Sequence, residues 1–235
     1  MDLNNAVALI TGGSSGIGRA IAQTLAASGA RVAITGRDSD RLTETARQLG
    51  VHAILANVSV AADVKRSYSE TLEKFGDLDI VVNNAGIGIF RNLVDLDPED
   101  FKNVFATNVT GAMLMAREAA KYFIGRKKKG NIVNIASTAA LRGAPEGTAY
   151  YASKFALRGM SECWRAELRR HNIRVILINL SEVLTNFYPA AGQPQKESPT
   201  KLRAEDIAGV VRCALEMEDR GFVPELSIFA TNPQD

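Results

Sequence analysis

Two kinds of hydrophobic pattern alternate along this chain. In one kind, short β-branched runs are apolar at successive positions, which predicts strands of a parallel sheet buried on both faces. In the other, apolar positions recur every three or four residues, which predicts amphipathic helices. The predicted strands cover residues 6–11, 31–35, 53–56, 79–82, 131–135, 173–178 and 226–229. The predicted helices cover residues 16–28, 39–49, 61–75, 98–123, 148–171 and 204–217. This order predicts a doubly wound α/β fold with seven parallel strands and helices on both faces.

One long irregular stretch interrupts the alternation, at residues 186–200 (NFYPAAGQPQKESPT). It contains Pro189, Pro194 and Pro199, which disfavour helix and strand alike. A linker is one interpretation, but the roughly 35 residues that follow are too few to hold a core of their own. We therefore expect residues 1–235 to form a single domain, with residues 186–200 as a lid over the site.

Composition excludes several classes of partner. The 235 residues include 28 Lys and Arg against 26 Asp and Glu, a net charge of +2, which argues against binding to nucleic acid. No apolar run approaches the roughly 20 residues that a membrane-spanning helix needs. Cys163 and Cys213 match neither a disulfide framework nor a metal-ligand spacing, so we expect a reducing, cytoplasmic location and no metal site.

A glycine-rich turn connects the first predicted strand to the first predicted helix, and it reads TGGSSGIG. Glycines let the chain turn tightly and bring backbone N–H groups close to a pyrophosphate, while the helix N-terminus supplies partial positive charge. The position directly between strand and helix favours dinucleotide binding over an ordinary turn. The residues predicted to contact the dinucleotide here are Gly12, Ser14, Ser15, Gly16, Ile17 and Gly18.

The end of the second predicted strand indicates which dinucleotide is used. An NAD enzyme usually carries an acidic residue there for the ribose hydroxyls, whereas this chain has Gly36 followed by Arg37. A guanidinium can pair with a 2′-phosphate, and Ser14 and Ser15 can add hydroxyl donors. NADP(H) is therefore the predicted cofactor. The alternative is that Arg37 lies on a surface loop, and the neighbouring Asp38 keeps that alternative open.

A third group of residues suggests acid–base chemistry. Ser137 follows the fifth predicted strand, at the carboxyl edge of the sheet where ligands of such folds bind. Tyr150 and Lys154 are four residues apart in a predicted helix and so share a face. A nearby ammonium is expected to lower the pKa of a phenol from its usual value of about 10, so that the tyrosine can exchange a proton. Spacing alone leaves Tyr151 as a competitor.

Together these motifs resemble the classical short-chain dehydrogenase/reductase family over essentially the whole chain, with a closer likeness to the 3-oxoacyl-carrier-protein reductase type. TGGSSGIG matches the family's TGxxxGxG, residues 83–86 match NNAG, and YYASK matches YxASK. The family's spacing between its serine and its tyrosine selects Tyr150 over Tyr151. The resemblance implies a Rossmann fold.

The same resemblance implies roles for further residues. It assigns Asn108 to a proton relay that runs through water and Lys154, although an asparagine within a helix more often bonds local backbone. It also implies contacts between the cofactor and Asn57, Val58, Asn84, Ala85, Gly86, Tyr150, Lys154, Val183 and Thr185. The chain departs from the family at Leu180 and Ser181, where the family has Pro-Gly. A positive φ in that turn would disfavour Ser181 and weaken cofactor binding.

The implied function is hydride transfer between NADP(H) and a small carbonyl compound or secondary alcohol. In it Ser137 holds the substrate oxygen, Tyr150 acts as the acid or base, Lys154 binds the ribose and lowers the pKa of Tyr150, and Asn108 holds the relay water. The alternatives are a nucleotide-sensing protein with little catalysis and an NAD-dependent alcohol dehydrogenase. The family resemblance also implies a homodimer or homotetramer.

Overall fold

The strands of the computed structural model, which describes residues 1–193 and 198–231, lie close to the predicted positions. They are β1 (Val7–Ile10), β2 (Arg31–Gly36), β3 (His52–Leu55), β4 (Ile80–Asn83), β5 (Gly130–Ile135), β6 (Ile173–Leu180), β7 (Val183–Leu184), β8 (Leu202–Arg203) and β9 (Glu225–Ile228). Seven of them form one parallel sheet in the order β3-β2-β1-β4-β5-β6-β9, and β7 pairs with β8 alone. The predicted seven-stranded parallel sheet is confirmed.

The order of the strands determines where a ligand can bind. β1 and β4 are hydrogen-bonded neighbours, although β2 and β3 come between them in sequence. From this pair the chain therefore winds outward in opposite directions. Such a switch point leaves a crevice at the carboxyl ends of the strands, where open α/β sheets bind their ligands.

Helices cover both faces of the sheet. The described helices are α1 (Gly16–Ala27), α2 (Ser39–Leu49), α3 (Ala61–Phe75), α4 (Pro98–Phe105), α5 (Ala112–Gly125), α6 (Thr148–Leu168), α7 (Phe187–Ala190) and α8 (Ala204–Glu216). Residues of α1, α2 and α8 pack in one core cluster, and residues of α3, α5 and α6 pack in the other. Both layers lie on the same sheet, as expected for a single doubly wound domain.

Strand β1 illustrates why its sequence is apolar throughout. Val7 and Leu9 belong to the cluster on one face, whereas Ala8 and Ile10 belong to the cluster on the other. Successive side chains of a strand point to opposite faces, so every position of a strand covered on both sides favours an apolar residue.

The predicted helix at residues 98–123 is interrupted. Its middle is a π-helical segment, Ala106–Gly111, that joins α4 to α5 and contains Asn108. Just beyond Asn108 the backbone approaches Val58 so closely that a Cβ on Gly111 would lie 2.8 Å from Val58 Cγ2. Such π-turns often occur at functional sites, because the extra residue redirects a side chain.

The proposed lid segment, residues 186–200, is only partly regular. It begins with the short helix α7 and is followed by β8, while residues 194–197 lie outside the described part of the chain.

None of the helices in the described ranges is long and apolar enough to cross a membrane.

Candidate active site

The glycine-rich turn forms one wall of a cleft at the carboxyl end of the sheet. Gly12 and Gly16 have φ values of +64° and +51°, in the left-handed region that favours glycine. A Cβ on Gly18 would lie only 2.3 Å from the carbonyl oxygen of Gly12. Ser15, the N-cap of α1, makes no side-chain capping bond, so the first N–H groups of this helix face the cleft uncapped. This cradle fits the pyrophosphate of a dinucleotide.

The segment at residues 83–86 is hydrogen-bonded to the glycine-rich turn. Asn84 Nδ2 donates to the carbonyl oxygens of Thr11 and Gly12, at 2.9 and 3.2 Å. In return, Thr11 Oγ1 accepts from the backbone N–H groups of Asn84 and Ala85, both at 3.0 Å. The two motifs are therefore one rigid unit across β1 and β4.

Arg37 lines the cleft beyond the end of β2, and its side chain is exposed. The neighbouring acid is already paired, because Asp38 caps α2 and its Oδ2 lies 2.6 Å from Arg41 Nη2. The N–H and the guanidinium of Arg41 hold the pKa of Asp38 below its ordinary value. Arg41 also lines the cleft. This corner of the cleft therefore has two guanidinium groups, of Arg37 and Arg41, and one carboxylate, of Asp38, which is bonded to Arg41.

Asn57 and Val58 line the same part of the cleft. Asn57 Oδ1 accepts from the backbone N–H and the hydroxyl of Ser59, at 3.1 and 2.9 Å. Its oxygen is therefore engaged within the protein, and the Nδ2 amide group can act as a donor toward a ligand.

Ser137, Tyr150 and Lys154 come together on the other side of the switch point. Ser137 follows β5, and its Oγ accepts from the N–H of Ala139 at 3.1 Å. Tyr150 and Lys154 lie one turn apart on α6 and are both almost fully buried. Lys154 Nζ donates to the carbonyl oxygen of Ile135 at 3.0 Å and lies 5.6 Å from the centroid of the Tyr150 ring.

The electrostatics of this group differ from the expectation that Lys154 lowers the pKa of Tyr150. Burial raises the pKa of Tyr150 in this structure, and its hydrogen bond with Ser137 opposes that effect only in part. Burial also lowers the pKa of Lys154 to about 8. The physical reason is that the ammonium is itself desolvated and bonds to the carbonyl of Ile135 rather than to the phenol.

Asn108 lies behind these residues in the π-helical segment and does not line the main cleft. Its Oδ1 accepts from the N–H of Ile87 at 2.9 Å, and its Nδ2 donates to the carbonyl oxygen of Ile87 at 2.9 Å. The same Nδ2 also donates to Ser153 Oγ at 3.0 Å, and Ser153 in turn donates to the carbonyl oxygen of Tyr150 at 2.6 Å. The side chain of Asn108 is thus fixed relative to α6.

Thr185 and Val183 carry the chain back across the cleft. Val183 is in β7, and Thr185 follows it, with its Cβ 3.5 Å from the point that a Cβ on Gly16 would occupy. The departure at Leu180 and Ser181 is accommodated without strain. Ser181 does not have a positive φ, its N–H donates to the carbonyl oxygen of Ile228 at 2.9 Å, and Leu180 is buried in the core. The expectation that Ser181 is strained by a positive φ at this turn is therefore wrong.

The cleft measures about 390 Å³ and brings most of the predicted residues together. Among the predicted cofactor contacts, Gly18 alone does not line it, because Gly18 packs beneath the turn. No group of His, Cys, Asp and Glu side chains that could hold a metal ion occurs in the described ranges.

The sequence profile of the short chain dehydrogenase family matches residues 6–196 of this chain. The chain therefore belongs to the short-chain dehydrogenase family. An uncharacterized oxidoreductase of Staphylococcus saprophyticus is 31% identical over 234 residues, which cover 97% of this chain and 98% of that protein.

Two solved structures are similar to this chain over nearly their whole lengths. The 3-ketoacyl-(acyl-carrier-protein) reductase of Brucella melitensis, complexed with NADH, has a TM-score of 0.89 and 30% identity, with 96% of this chain and 97% of that chain covered. The alcohol dehydrogenase of the archaeon Thermococcus sibiricus, complexed with 5-hydroxy-NADP, has a TM-score of 0.87 and 31% identity, with 98% and 99% covered. The predicted family and fold are confirmed.

Several residues of this candidate site are absent from the sequence-based prediction. Arg41 has a signal, since it follows Asp38 by three residues in a helix and so reaches its carboxylate. Ser153 has a weaker signal, one turn from Tyr150 on α6. Thr11 is the first residue of the TGGSSGIG motif. Gly88 and Phe90 have no signal that a single sequence reveals, because their partners are distant in the chain.

An aromatic cluster covers Tyr150. Its described members are Phe90, Tyr150, Tyr151, Phe187 and Tyr188. The ring centroids of Phe90 and Phe187 each lie 5.4 Å from that of Tyr150. These contacts leave Tyr150 only 7% exposed, which is the cause of its raised pKa.

Proposed function

We propose that this protein is an NADP(H)-dependent oxidoreductase that interconverts a carbonyl compound and the corresponding secondary alcohol. The observation that carries the proposal is the position of Ser137, Tyr150 and Lys154 in the same cleft as the glycine cradle. When bound, the nicotinamide supplies a hydride to the carbonyl carbon, or accepts one from the alcohol carbon in the reverse direction. The protein's own residues then have to orient the substrate and move the proton.

Each of these residues has a role that suits its environment. Ser137 donates a hydrogen bond to the substrate oxygen, and Tyr150 gives that oxygen its proton during reduction. Lys154 binds the ribose and belongs to the proton relay that restores Tyr150, which its pKa of about 8 permits near neutral pH. Asn108, held by Ile87 and Ser153, positions the water through which Lys154 is reprotonated.

The preference for NADP(H) rests on the corner at Arg37. A 2′-phosphate there meets the guanidinium groups of Arg37 and Arg41 and the hydroxyl groups of Ser14 and Ser15. Asp38 does not oppose it strongly, because its charge is paired with Arg41. The remaining cofactor contacts proposed are Gly12, Gly16, Ile17, Asn57, Val58, Asn84, Ala85, Gly86, Val183 and Thr185.

The direct test is replacement of each candidate tyrosine. Tyr150→Phe should lower kcat for reduction of a ketone by roughly 100-fold or more, the usual contribution of a general acid, and leave NADPH binding intact. Tyr151→Phe is the matched control, because it removes the adjacent phenol from the same helix. Equal activity of the two variants would refute the role of Tyr150.

A nucleotide-sensing protein is the second candidate function. It is favoured by the aromatic cluster over Tyr150, which keeps the phenol from solvent in this structure. Tight binding of NADPH without oxidation in the presence of any ketone or aldehyde would favour the sensor. A comparison of NADPH with NADH in the same assay tests the third candidate, an NAD-dependent alcohol dehydrogenase.

We also propose that the enzyme acts in the cytoplasm as a homodimer or homotetramer. Phe155 on α6 and Ile124 on α5 are apolar and about 40–45% exposed, which suits helices that pair with a second copy. Size-exclusion chromatography with light scattering tests the oligomeric state.

A further inference from the structure

The ring of Phe187 rests on the backbone of Gly88. A Cβ on Gly88 would lie 2.8 Å from Phe187 Cζ and 2.9 Å from Phe90 Cε2. Real Cβ atoms do not approach other atoms so closely, so any other residue at this position would move the ring. Gly88, Phe90 and Tyr150 thus form a slot, here called the ring slot, and Phe187 fills it.

The ring slot lies against the phenol that is proposed to react. The ring of Phe187 is inclined at 50° to that of Tyr150, and the two centroids are 5.4 Å apart. Tyr188 lies on the outer side, stacked on Phe90 at 5.8 Å with an interplanar angle of 20°. Because the slot borders Tyr150, a carbonyl group bonded to the phenol can place one substituent there once the Phe187 ring moves aside.

The charges in the cleft indicate what kind of substituent fits. Among the described residues that line the cleft, the charged ones are Arg37, Asp38, Arg41 and Lys154. The first three lie at the end of β2, away from Tyr150, and Lys154 bonds to the carbonyl oxygen of Ile135. Beside the ring slot, Arg91 Nη1 already donates to the carbonyl oxygen of Phe90 at 2.8 Å, and Lys201 is paired at 2.8 Å with Glu182, the carboxylate that acts on Tyr188. A carboxylate or phosphate group on the substrate would therefore be desolvated there in competition with existing bonds.

We propose that the substrate is an uncharged carbonyl compound with a flat aromatic ring, such as an aryl ketone, and that its ring takes the place of Phe187 on Gly88. This inference rests on the proposed function. The side chain of Phe187 is the stand-in, because it is an aromatic ring already seated between Gly88, Phe90 and Tyr150. Phe187 leaves the slot when the substrate enters, so it lowers the apparent affinity of the substrate by competing with it.

Substitutions at the two ends of this contact should have opposite effects. Gly88→Ala places a methyl group in the slot and should lower kcat/KM for acetophenone about tenfold or more, whereas butanone, which lacks a ring, should change by less than about threefold. Phe187→Ala vacates the slot and should lower KM for acetophenone. Gly143→Ala is the matched control and should change neither, because nothing lies within 4 Å of its added Cβ.

A charged aryl ketone tests whether the ring slot disfavours anionic substrates. The compound para-acetylbenzoate has the ring of acetophenone and an added carboxylate, and the wild-type enzyme should reduce it at least about tenfold less efficiently. Equal efficiency with the two aryl ketones would overturn the proposal. So would an equal loss for acetophenone and butanone in Gly88→Ala, measured on protein whose thermal unfolding and NADPH binding match the wild type.

A binding measurement separates this inference from the proposed function. Saturation-transfer NMR of acetophenone with the protein and NADP⁺ should give a signal that Gly88→Ala loses and Gly143→Ala keeps. If the wild type reduces no carbonyl compound but gives this pattern, the proposed function fails and the ring slot stands. Absence of acetophenone binding to the wild type would overturn the ring slot. If Gly88→Ala does not fold, Phe187→Ala decides, and an unchanged or higher KM for acetophenone overturns the proposal.

Discussion

Lys154 donates a hydrogen bond from Nζ to the carbonyl oxygen of Ile135, 3.0 Å away, beneath the ring of Tyr150. This bond joins α6 to the end of β5 and holds the ammonium in a buried position. Burial is the cause of its lowered pKa, about 8 against an ordinary value of 10.5. The cost of keeping a charged lysine there has consequences for stability.

The first prediction concerns the pH dependence of that cost. The folded protein binds the proton of Lys154 less tightly than the unfolded chain does, so burial of the charged lysine lowers the free energy of unfolding of the cofactor-free protein. This loss of stability has its full size below about pH 8 and disappears as the pH rises toward 10.5. Lys154→Met should therefore raise the free energy of unfolding by about 2 kcal/mol at neutral pH, after loss of the bond to Ile135. Urea unfolding of the wild type and Lys154→Met across this pH range should show that the difference in the free energy of unfolding decreases as the pH rises. A gain that grows with pH would contradict the assignment.

The second prediction concerns cofactor preference. Arg37→Asp removes a phosphate partner and adds a repelling charge, so it should weaken NADPH binding about 100-fold and leave NADH binding nearly unchanged. Arg41→Ala should weaken NADPH binding about tenfold. Arg47→Ala, also on α2 but paired with Glu44 away from the cleft, is the control. Fluorescence titration with both nucleotides measures the ratio, and an unchanged ratio in Arg37→Asp would exclude a role for Arg37 in discrimination.

The third prediction concerns the packing beneath the glycine turn. An added methyl group in Gly18→Ala would meet Gly12 O at 2.3 Å and Asn84 Nδ2 at 2.4 Å, so the turn must shift. We expect a loss of about 2 kcal/mol in stability and at least tenfold weaker NADPH binding. Gly159→Ala, in α6 with nothing within 4 Å of the new Cβ, should instead stabilise the protein by about 0.5–1 kcal/mol. Thermal unfolding and nucleotide titration test both, and normal nucleotide binding by Gly18→Ala would mean that the turn tolerates the shift.

The fourth prediction concerns Ser153 as a positioning residue. Ser153→Ala removes one acceptor from the Asn108 amide and one bond to the carbonyl oxygen of Tyr150, while both bonds between Asn108 and Ile87 remain. We expect kcat to fall about three- to tenfold with KM nearly constant, and the acidic limb of the pH profile of kcat to shift. A variant with reduced stability but an unchanged pH profile would have lost only packing.

The sequence by itself determined the class of fold and the general chemistry of the site. The continuous apolar runs, rich in β-branched residues, favoured strands that are covered on both faces, and their alternation with helical patterns predicted a doubly wound sheet. Glycines 12, 16 and 18 were predictable for the same local reason, since a turn of this shape between strand and helix excludes side chains. The spacing of four residues between Tyr150 and Lys154 is enough to place both on one face of α6.

The tertiary structure alone decided how these groups interact. The π-helical segment at Asn108 depends on the approach of Gly111 to Val58, and the bond between Lys154 and Ile135 depends on how α6 packs on β5. The raised pKa of Tyr150 depends on Phe90 and Phe187, which are far from it in the chain. Hydrophobic periodicity reports only which face of an element is buried. Which side chains meet there depends on the packing of elements that the sequence keeps apart.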